Sequence, residues 1–155
     1  MDAAERQLLI DRYGSGVRAV KDALAGASEE ELDRRTGDDW SSRMVVHHLA
    51  DSETNSYLRL RKLLAEDDSQ IQGYDEGEFA RALHYDRPIE TSLAVFEAVR
   101  ASSGELLERL SEDDWARAGT HSESGRYSVE GWLAIYADHA EVHADQITRA
   151  RAGPA

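Results

Sequence analysis

Two histidines stand four residues apart in the stretch His139-Ala140-Glu141-Val142-His143. On a helix, positions i and i+4 lie on one face, one turn apart, so both imidazoles can grip a single ion. The residues Trp132, Tyr136, His139, His143 and Ile147 follow one another at steps of four, three, four and four, which is the seam a bundle helix turns inward. Two histidines therefore stand where Leu or Ile is expected. Buried imidazoles need partners, because a polar group left unsatisfied in an apolar surrounding is costly. One divalent metal ion satisfies both together. Core histidines satisfied in some other way, or a solvated surface pair, are the competing readings.

Two imidazoles make a poor site, so a third ligand is required. The stretch around Val45-Val46-His47-His48-Leu49 offers it. The apolar face of that helix is set by Val45, Leu49, Leu60, Leu63 and Leu64. At about 100° per residue, His48 falls on the flank of this face and His47 on nearly the opposite side. His48 is the expected ligand, and His47 is expected to be exposed or at an interface. Glu53 projects toward the same face beside Ser52 and Ser56. It is a candidate acid/base group, a partner of a ligand, or a fourth ligand. The plainer alternative is a charge at the bundle edge that snorkels to water. His84 and His121 fall in connections and are expected at the surface, although His121 could reach the mouth of a bundle. Trp40, Trp115 and Trp132 are expected as core or pocket walls.

The composition narrows the rest. There is no cysteine, which removes disulfides, thiolate nucleophiles and Cys-based metal sites. A net charge of −13, with Lys and Arg interspersed among acids, argues against nucleic-acid binding, which draws on clustered basic residues. No run approaches the roughly 20 apolar residues that cross a bilayer. The acidic start Met1-Asp2-Ala3-Ala4-Glu5 lacks the pattern of a secretion signal, so a cytoplasmic protein without membrane partners is expected. The Gly14-Ser15-Gly16 cluster lacks the strand context and Lys-Ser/Thr ending of a phosphate loop, and no serine sits in a nucleophile elbow.

The elements that must position these histidines are helices. Only Pro88 and Pro154 interrupt a chain of 155 residues rich in Ala, Leu, Glu and Arg, a length that suits one domain. A first helix is expected over 3–24, on Leu8, Leu9, Tyr13, Val17, Val20 and Leu24. Gly14 and Gly16 interrupt it and mark a close approach or a bend. Ser28-Glu29-Glu30-Glu31 is a capping-box pattern. A second helix starts at Ser41 or Ser42 and runs to 65. Then comes an acidic connection over 66–88, with a short helix around 76–83. A third helix covers 89–110, on Leu93, Phe96, Val99, Leu106, Leu107 and Leu110. After another short turn at Ser111, residues 119–125 read as a polar loop, and Ser128 caps a fourth helix running to 151. No sheet of consequence is expected. The 66–88 connection is much longer than the roughly 2–8 residues that link antiparallel neighbours, so the second and third helices are expected to run parallel, in an all-α, up-down-down-up four-helix bundle.

The stretches Trp40-Ser41 with Val45-Val46-His47-His48-Leu49-Ala50-Asp51-Ser52-Glu53, and Tyr136-Ala137-Asp138-His139-Ala140-Glu141-Val142-His143-Ala144-Asp145-Gln146-Ile147, resemble the two signatures of the DinB/YfiT-like metal-dependent family. Ile71-Gln72-Gly73-Tyr74-Asp75-Glu76 resembles one branch of it. The resemblance covers nearly the whole chain, and the order of the motifs is more specific than any one of them. It implies an up-down-down-up bundle, often a homodimer. It also implies a three-histidine site for zinc or nickel, carried here onto His48, His139 and His143. Some members are bacillithiol or mycothiol S-transferases, and one is a mycothiol-dependent maleylpyruvate isomerase. The isomerase has a glutamate where this chain has His139, which argues against that activity here.

The leading functional expectation is a metalloenzyme acting on a small-molecule substrate. Its open coordination positions would lower the pKa of a water or of a thiol supplied by a small molecule such as mycothiol or bacillithiol, giving hydrolysis or S-transfer. The rival expectations are a non-catalytic metal-binding or stress-response module, with a closed site completed by Glu53, and a helical interaction protein without metal.

Overall fold

The computed structural model describes residues 1–153. Its helices are α1 (Ala3–Leu24), α2 (Glu29–Asp33), α3 (Ser42–Ala65), α4 (Glu76–Ala82), α5 (Glu90–Leu107), α6 (Glu112–Ala116) and α7 (Val129–Ala152). Three short strands lie between them, β1 (Gln70–Ile71), β2 (Ala118–His121) and β3 (Gly125–Ser128). The starts follow local chemistry. Asp2, Ser28 and Ser111 each form a capping box with the acid three residues on, satisfying backbone donors that a first turn leaves open. Ser41 caps α3 and Ser128 caps α7 through their side-chain oxygens.

Helices α1, α3, α5 and α7 form the bundle, and contacts along them fix its directions. Arg12 meets Asp138 at 2.6 Å and Ser15 meets Glu141 at 3.3 Å, so α1 and α7 run parallel. Ser42 reaches the Ile147 carbonyl and the Trp132 indole N–H reaches the Ser56 carbonyl, so α3 opposes α7. His47 meets Ser92, Glu53 meets Arg100 and Arg61 meets Ser103, so α5 runs parallel to α3. The order is up-down-down-up, and the long α3–α5 connection makes the crossover. Among the described residues, no helix is long and apolar enough to cross a membrane.

A small sheet departs from the sequence reading. The 119–125 segment, expected as a polar loop, is largely a hairpin, with β2 and β3 paired antiparallel from Ala118↔Ser128 to His121↔Gly125. Gly125 takes the positive φ of 76° that its three-residue loop requires. β1, from the crossover, adds in parallel to β2. Gly119 permits this, because a Cβ there would collide with the Ser69 backbone. Strands of two to four residues carry too few side chains to write a period-two pattern into the sequence.

The core has two apolar ends and a polar middle. At one end Val20, Val45, Val46, Leu49, Phe96, Ala140, Ala144 and Ile147 pack together. At the other are Tyr13, Leu60, Leu63, Leu107, Trp115, Trp132, Leu133 and Tyr136. Along every bundle helix the residues between these ends are small or polar: Gly16 on α1, Ser52, Glu53 and Ser56 on α3, Arg100 and Ser103 on α5, and His139 on α7. Gly16 is the narrowest point. A Cβ there would lie 2.6 Å from the Ala140 Cβ and 2.9 Å from an Arg100 nitrogen, so the close approach that the glycines suggested is between α1, α5 and α7.

Candidate metal centre

His48 comes from α3, and His139 and His143 come from successive turns of α7, where the antiparallel pair faces itself. One potential ligand atom from each lies within 4.8 Å of the other two. The ring centroids are 4.6 Å apart for His139 and His143, 4.7 Å for His48 and His143, and 5.6 Å for His48 and His139. Three imidazoles this close, with no carboxylate between them, repel one another when protonated. Burial, then the neighbouring His143 and His139, pushes the His48 pKa down to about 3. Burial, then His139, pushes His143 down to about 4. Both are neutral at physiological pH, the form in which imidazole binds a metal.

The surroundings fit an ion. His48 is 2% exposed, yet its Nδ1 has no hydrogen-bond partner, and a buried nitrogen with a free lone pair needs one. His143 Nδ1 lies 2.8 Å from Gln146 Oε1. With the amide oxygen accepting, His143 carries its proton on Nδ1 and keeps a lone pair on Nε2. Glu53 Oε1 stands 3.5 Å from His139 Nδ1, without hydrogen-bond geometry, since that nitrogen has no formal partner. Carboxylates placed beyond a histidine in this way orient metal-binding imidazoles in other proteins. Trp40 packs edge-on against His48 at 5.2 Å, and Tyr136 stands edge-on to His139 at 5.6 Å.

Glu53 is not at the bundle edge. It is 1% exposed, held by Arg100 Nη1 at 2.5 Å and approached by the Tyr13 hydroxyl at 3.4 Å. Arg100 is itself buried, donates to the Tyr13 and Tyr136 carbonyls and lies over the Tyr13 ring. Sequence reasoning missed Arg100, although a signal was present. Phe96, Arg100, Ser103 and Leu107 step by four, three and four and are all buried, so an arginine occupies the inward seam of α5. Gln146, one turn beyond His143, was missed too.

Two expectations about the other histidines need correction. His47 is fully buried rather than exposed, with Nδ1 2.8 Å from Ser92 Oγ and Nε2 2.9 Å from the Arg87 carbonyl. The crossover returns over that flank of α3 before entering α5, so both sides of this helix are covered. His121 is 8% exposed and packs against Tyr127 at 5.5 Å inside the hairpin, with its Nδ1 accepting from the Glu123 backbone N–H. His84 is exposed with φ 55°, just past the end of α4. None of these three joins the cluster. Trp115 and Trp132 are core, and Trp40 is a half-buried wall.

The chain falls in a known family. The sequence profile of the DinB superfamily matches residues 16–147, and the chain belongs to that superfamily. A protein of Oceanobacillus iheyensis is 40% identical over 133 residues, 84% of this chain and 77% of the relative. One of Bacillus mycoides is 32% identical over 149 residues, 92% of this chain and 86% of the relative. Both carry names that assign them, by inference, to the metal-dependent hydrolases. The solved structure of YfiT from Bacillus subtilis, described as a probable metal-dependent hydrolase with an unusual four-helix bundle topology, superposes with a TM-score of 0.87 at 24% identity, over 99% of this chain and 91% of YfiT. That likeness establishes the fold.

Proposed function

We propose that this protein is a metal-dependent hydrolase whose divalent ion, zinc or nickel, is held by His48, His139 and His143. The observation that carries the reading is the convergence of three imidazoles from α3 and α7, with one potential ligand atom from each within 4.8 Å of the others. An ion bound there supplies Lewis-acid chemistry, polarising an electrophile and activating a nucleophile near neutral pH. The chain's own groups do the rest. Gln146 holds the His143 proton on Nδ1. Glu53, kept in place by Arg100, stands 3.5 Å from His139 Nδ1, where its charge would favour a proton on that nitrogen and leave the Nε2 lone pair for the ion. Glu53 thereby acts as a positioning residue; its ion pair with Arg100 occupies it and disfavours a direct acid/base role. Trp40 and Tyr136 pack edge-on against His48 and His139. Three histidines leave coordination positions open, which supports catalysis over a closed structural site.

The test is elemental analysis of protein purified without a histidine tag, followed by hydrolysis assays on a panel of activated esters and amides. About one ion per chain is expected, with turnover lost on chelation and restored by zinc or nickel. Protein without bound metal that takes none up after dialysis against either ion would overturn the reading. A parallel assay of S-conjugation with bacillithiol or mycothiol addresses the thiol-transfer alternative, which the lack of cysteine leaves dependent on a small-molecule thiol. Metal-dependent conjugation without hydrolysis would select that alternative.

A further inference from the structure

The region beyond Tyr136 holds several buried hydrogen-bond donors without partners. Arg59, on α3, donates from Nη1 to the Tyr136 hydroxyl at 3.2 Å and from Nη2 to the Gln72 carbonyl at 3.1 Å, and no carboxylate pairs with it among the ion pairs of the described residues. Its Nε is buried without a partner. The Tyr127 and Tyr74 hydroxyls are also buried and unpartnered, and Tyr127 is 7% exposed. These groups share one place. The Arg59 guanidinium lies 5.9 Å from the Tyr74 ring, and Tyr127 feels both Arg59 and Tyr136 without a hydrogen bond of normal geometry to either. Because the Tyr136 oxygen accepts from Arg59, its own proton is left to donate, with the Ser52 hydroxyl as its neutral neighbour. Burial raises all three phenol pKa values, first and foremost, so each stays a neutral donor.

Arg59 Nε and the Tyr74 and Tyr127 hydroxyls are therefore buried donors with no acceptor in hydrogen-bond geometry, while the two Arg59 Nη groups are already bonded. The nearby carboxylates do not fill the need: Glu53 is bound to Arg100 and Tyr13, Glu76 is exposed on the first turn of α4, and Glu123, which lies against Gly73, forms no hydrogen bond or ion pair with Arg59, Tyr74 or Tyr127 among the described residues. Buried donors without acceptors are costly, and an oxyanion is a partner that a guanidinium N–H and neutral phenols can share. In a chain with a net charge of −13, such a spot is the exception to the surrounding field. Tyr136 connects it to the proposed centre, with its hydroxyl on Arg59 and its ring 5.6 Å from the His139 ring.

We propose that Arg59, Tyr74, Tyr127 and Tyr136 form an anion-binding subsite, and that the substrate is a small molecule carrying a carboxylate or phosphate about one tyrosine's length from its reacting bond. The placement relative to the reaction rests on the proposed function; the subsite itself does not. Both carboxylate and phosphate satisfy the donors, and the probes below separate them.

The experiment titrates inorganic phosphate, acetate and neutral acetamide into metal-free protein, with calorimetry and tyrosine difference absorbance as readouts. Metal-free protein keeps the anions from reporting on the histidine cluster. Saturable binding of phosphate or acetate, one per chain and absent for acetamide, is expected, weakened about tenfold or more in Arg59→Met and by a smaller factor in Tyr127→Phe. Arg126→Met, on the exposed face of β3, should bind as the parent does. Arg59→Lys, which keeps the charge and loses the fork, should fall between parent and Arg59→Met. Should Arg59→Met fail to fold, Arg59→Lys and Tyr127→Phe decide. Absence of saturable anion binding, or equal binding in parent and variants, overturns the subsite and leaves the metal reading untouched. Tight anion binding by protein that takes up no metal would support the subsite and count against the hydrolase.

Discussion

Arg100 and Glu53 form an ion pair at 2.5 Å between helices α5 and α3, with 1% and 0% of their side chains exposed. Taking two charges out of water costs several kcal/mol each, and the pair is supported because most of its remaining hydrogen-bonding groups find neighbours, Arg100 Nε excepted. The Tyr13 and Tyr136 carbonyls and the Tyr13 ring supply those for Arg100, and the Tyr13 hydroxyl approaches Glu53. Arg100→Met strands a buried carboxylate and should cost about 3–5 kcal/mol in urea unfolding. The double variant Arg100→Met with Glu53→Leu should recover much of that loss. A single variant within about 1 kcal/mol of the parent would show that the pair does not form in solution.

The cluster and its neighbours should separate in metal uptake. Alanine at His48, His139 or His143 should abolish tight binding of one ion per chain. Glu53→Gln, which keeps shape and removes charge, should weaken uptake by about 10–100-fold, the range for partners that orient a ligand. His47→Ala should bind metal as the parent does but lose stability, because Ser92 and the Arg87 carbonyl lose their partner. Loss of metal in the His47 variant with retention in the His48 variant would reverse the assignment.

Acid should destabilise the metal-free protein through the same imidazoles. Unfolded histidines take up protons below a pH of about 6.5, whereas folded His48 and His143 resist until about pH 3 and about pH 4. Between those limits the unfolded chain binds more protons, so stability present at neutral pH is lost as the pH falls. The loss should be on the order of a few kcal/mol by pH 4. Urea unfolding at several pH values checks it, and the double variant His48→Gln with His143→Gln should show a shallower decline. An unchanged slope would assign acid sensitivity to carboxylates elsewhere.

Gly16 tests the narrow point between helices. Gly16→Ala raises intrinsic helix propensity by about 1 kcal/mol, yet its Cβ would meet Ala140 at 2.6 Å and Arg100 at 2.9 Å. Net destabilisation of about 1–3 kcal/mol is expected from overpacking. The same substitution at Gly14, where a Cβ meets nothing within 4 Å, should be neutral or stabilising. Equal effects at the two positions would rule out the close approach.

The parts that could be read in the sequence are those written at helical period. The stripe from Trp132 to Ile147 placed His139 and His143 on the inward face, and the long α3–α5 connection set the topology. His48 against His47 was also decided by angle, correctly for which one joins the cluster. Angle could not reveal that His47 is buried, because that depends on where the crossover returns. Glu53 was placed on the correct face but without its partner. Arg100 lies 47 residues away on another helix, and its seam of Phe96, Arg100, Ser103 and Leu107 competed with a more apolar stripe through Val99 and Leu106. The hairpin left no pattern long enough to detect.

The parallel pairing of β1 with β2 joins Gln70 to Thr120, two points separated by fifty positions of chain, while the helices beside them close through neighbours a few positions apart. Local turns assemble early, and contacts so remote in sequence come late and release first. Tyr74 and Tyr127 belong to the segments this joint secures. Their backbone amides should therefore exchange with deuterated water well before those around His48 and Arg100.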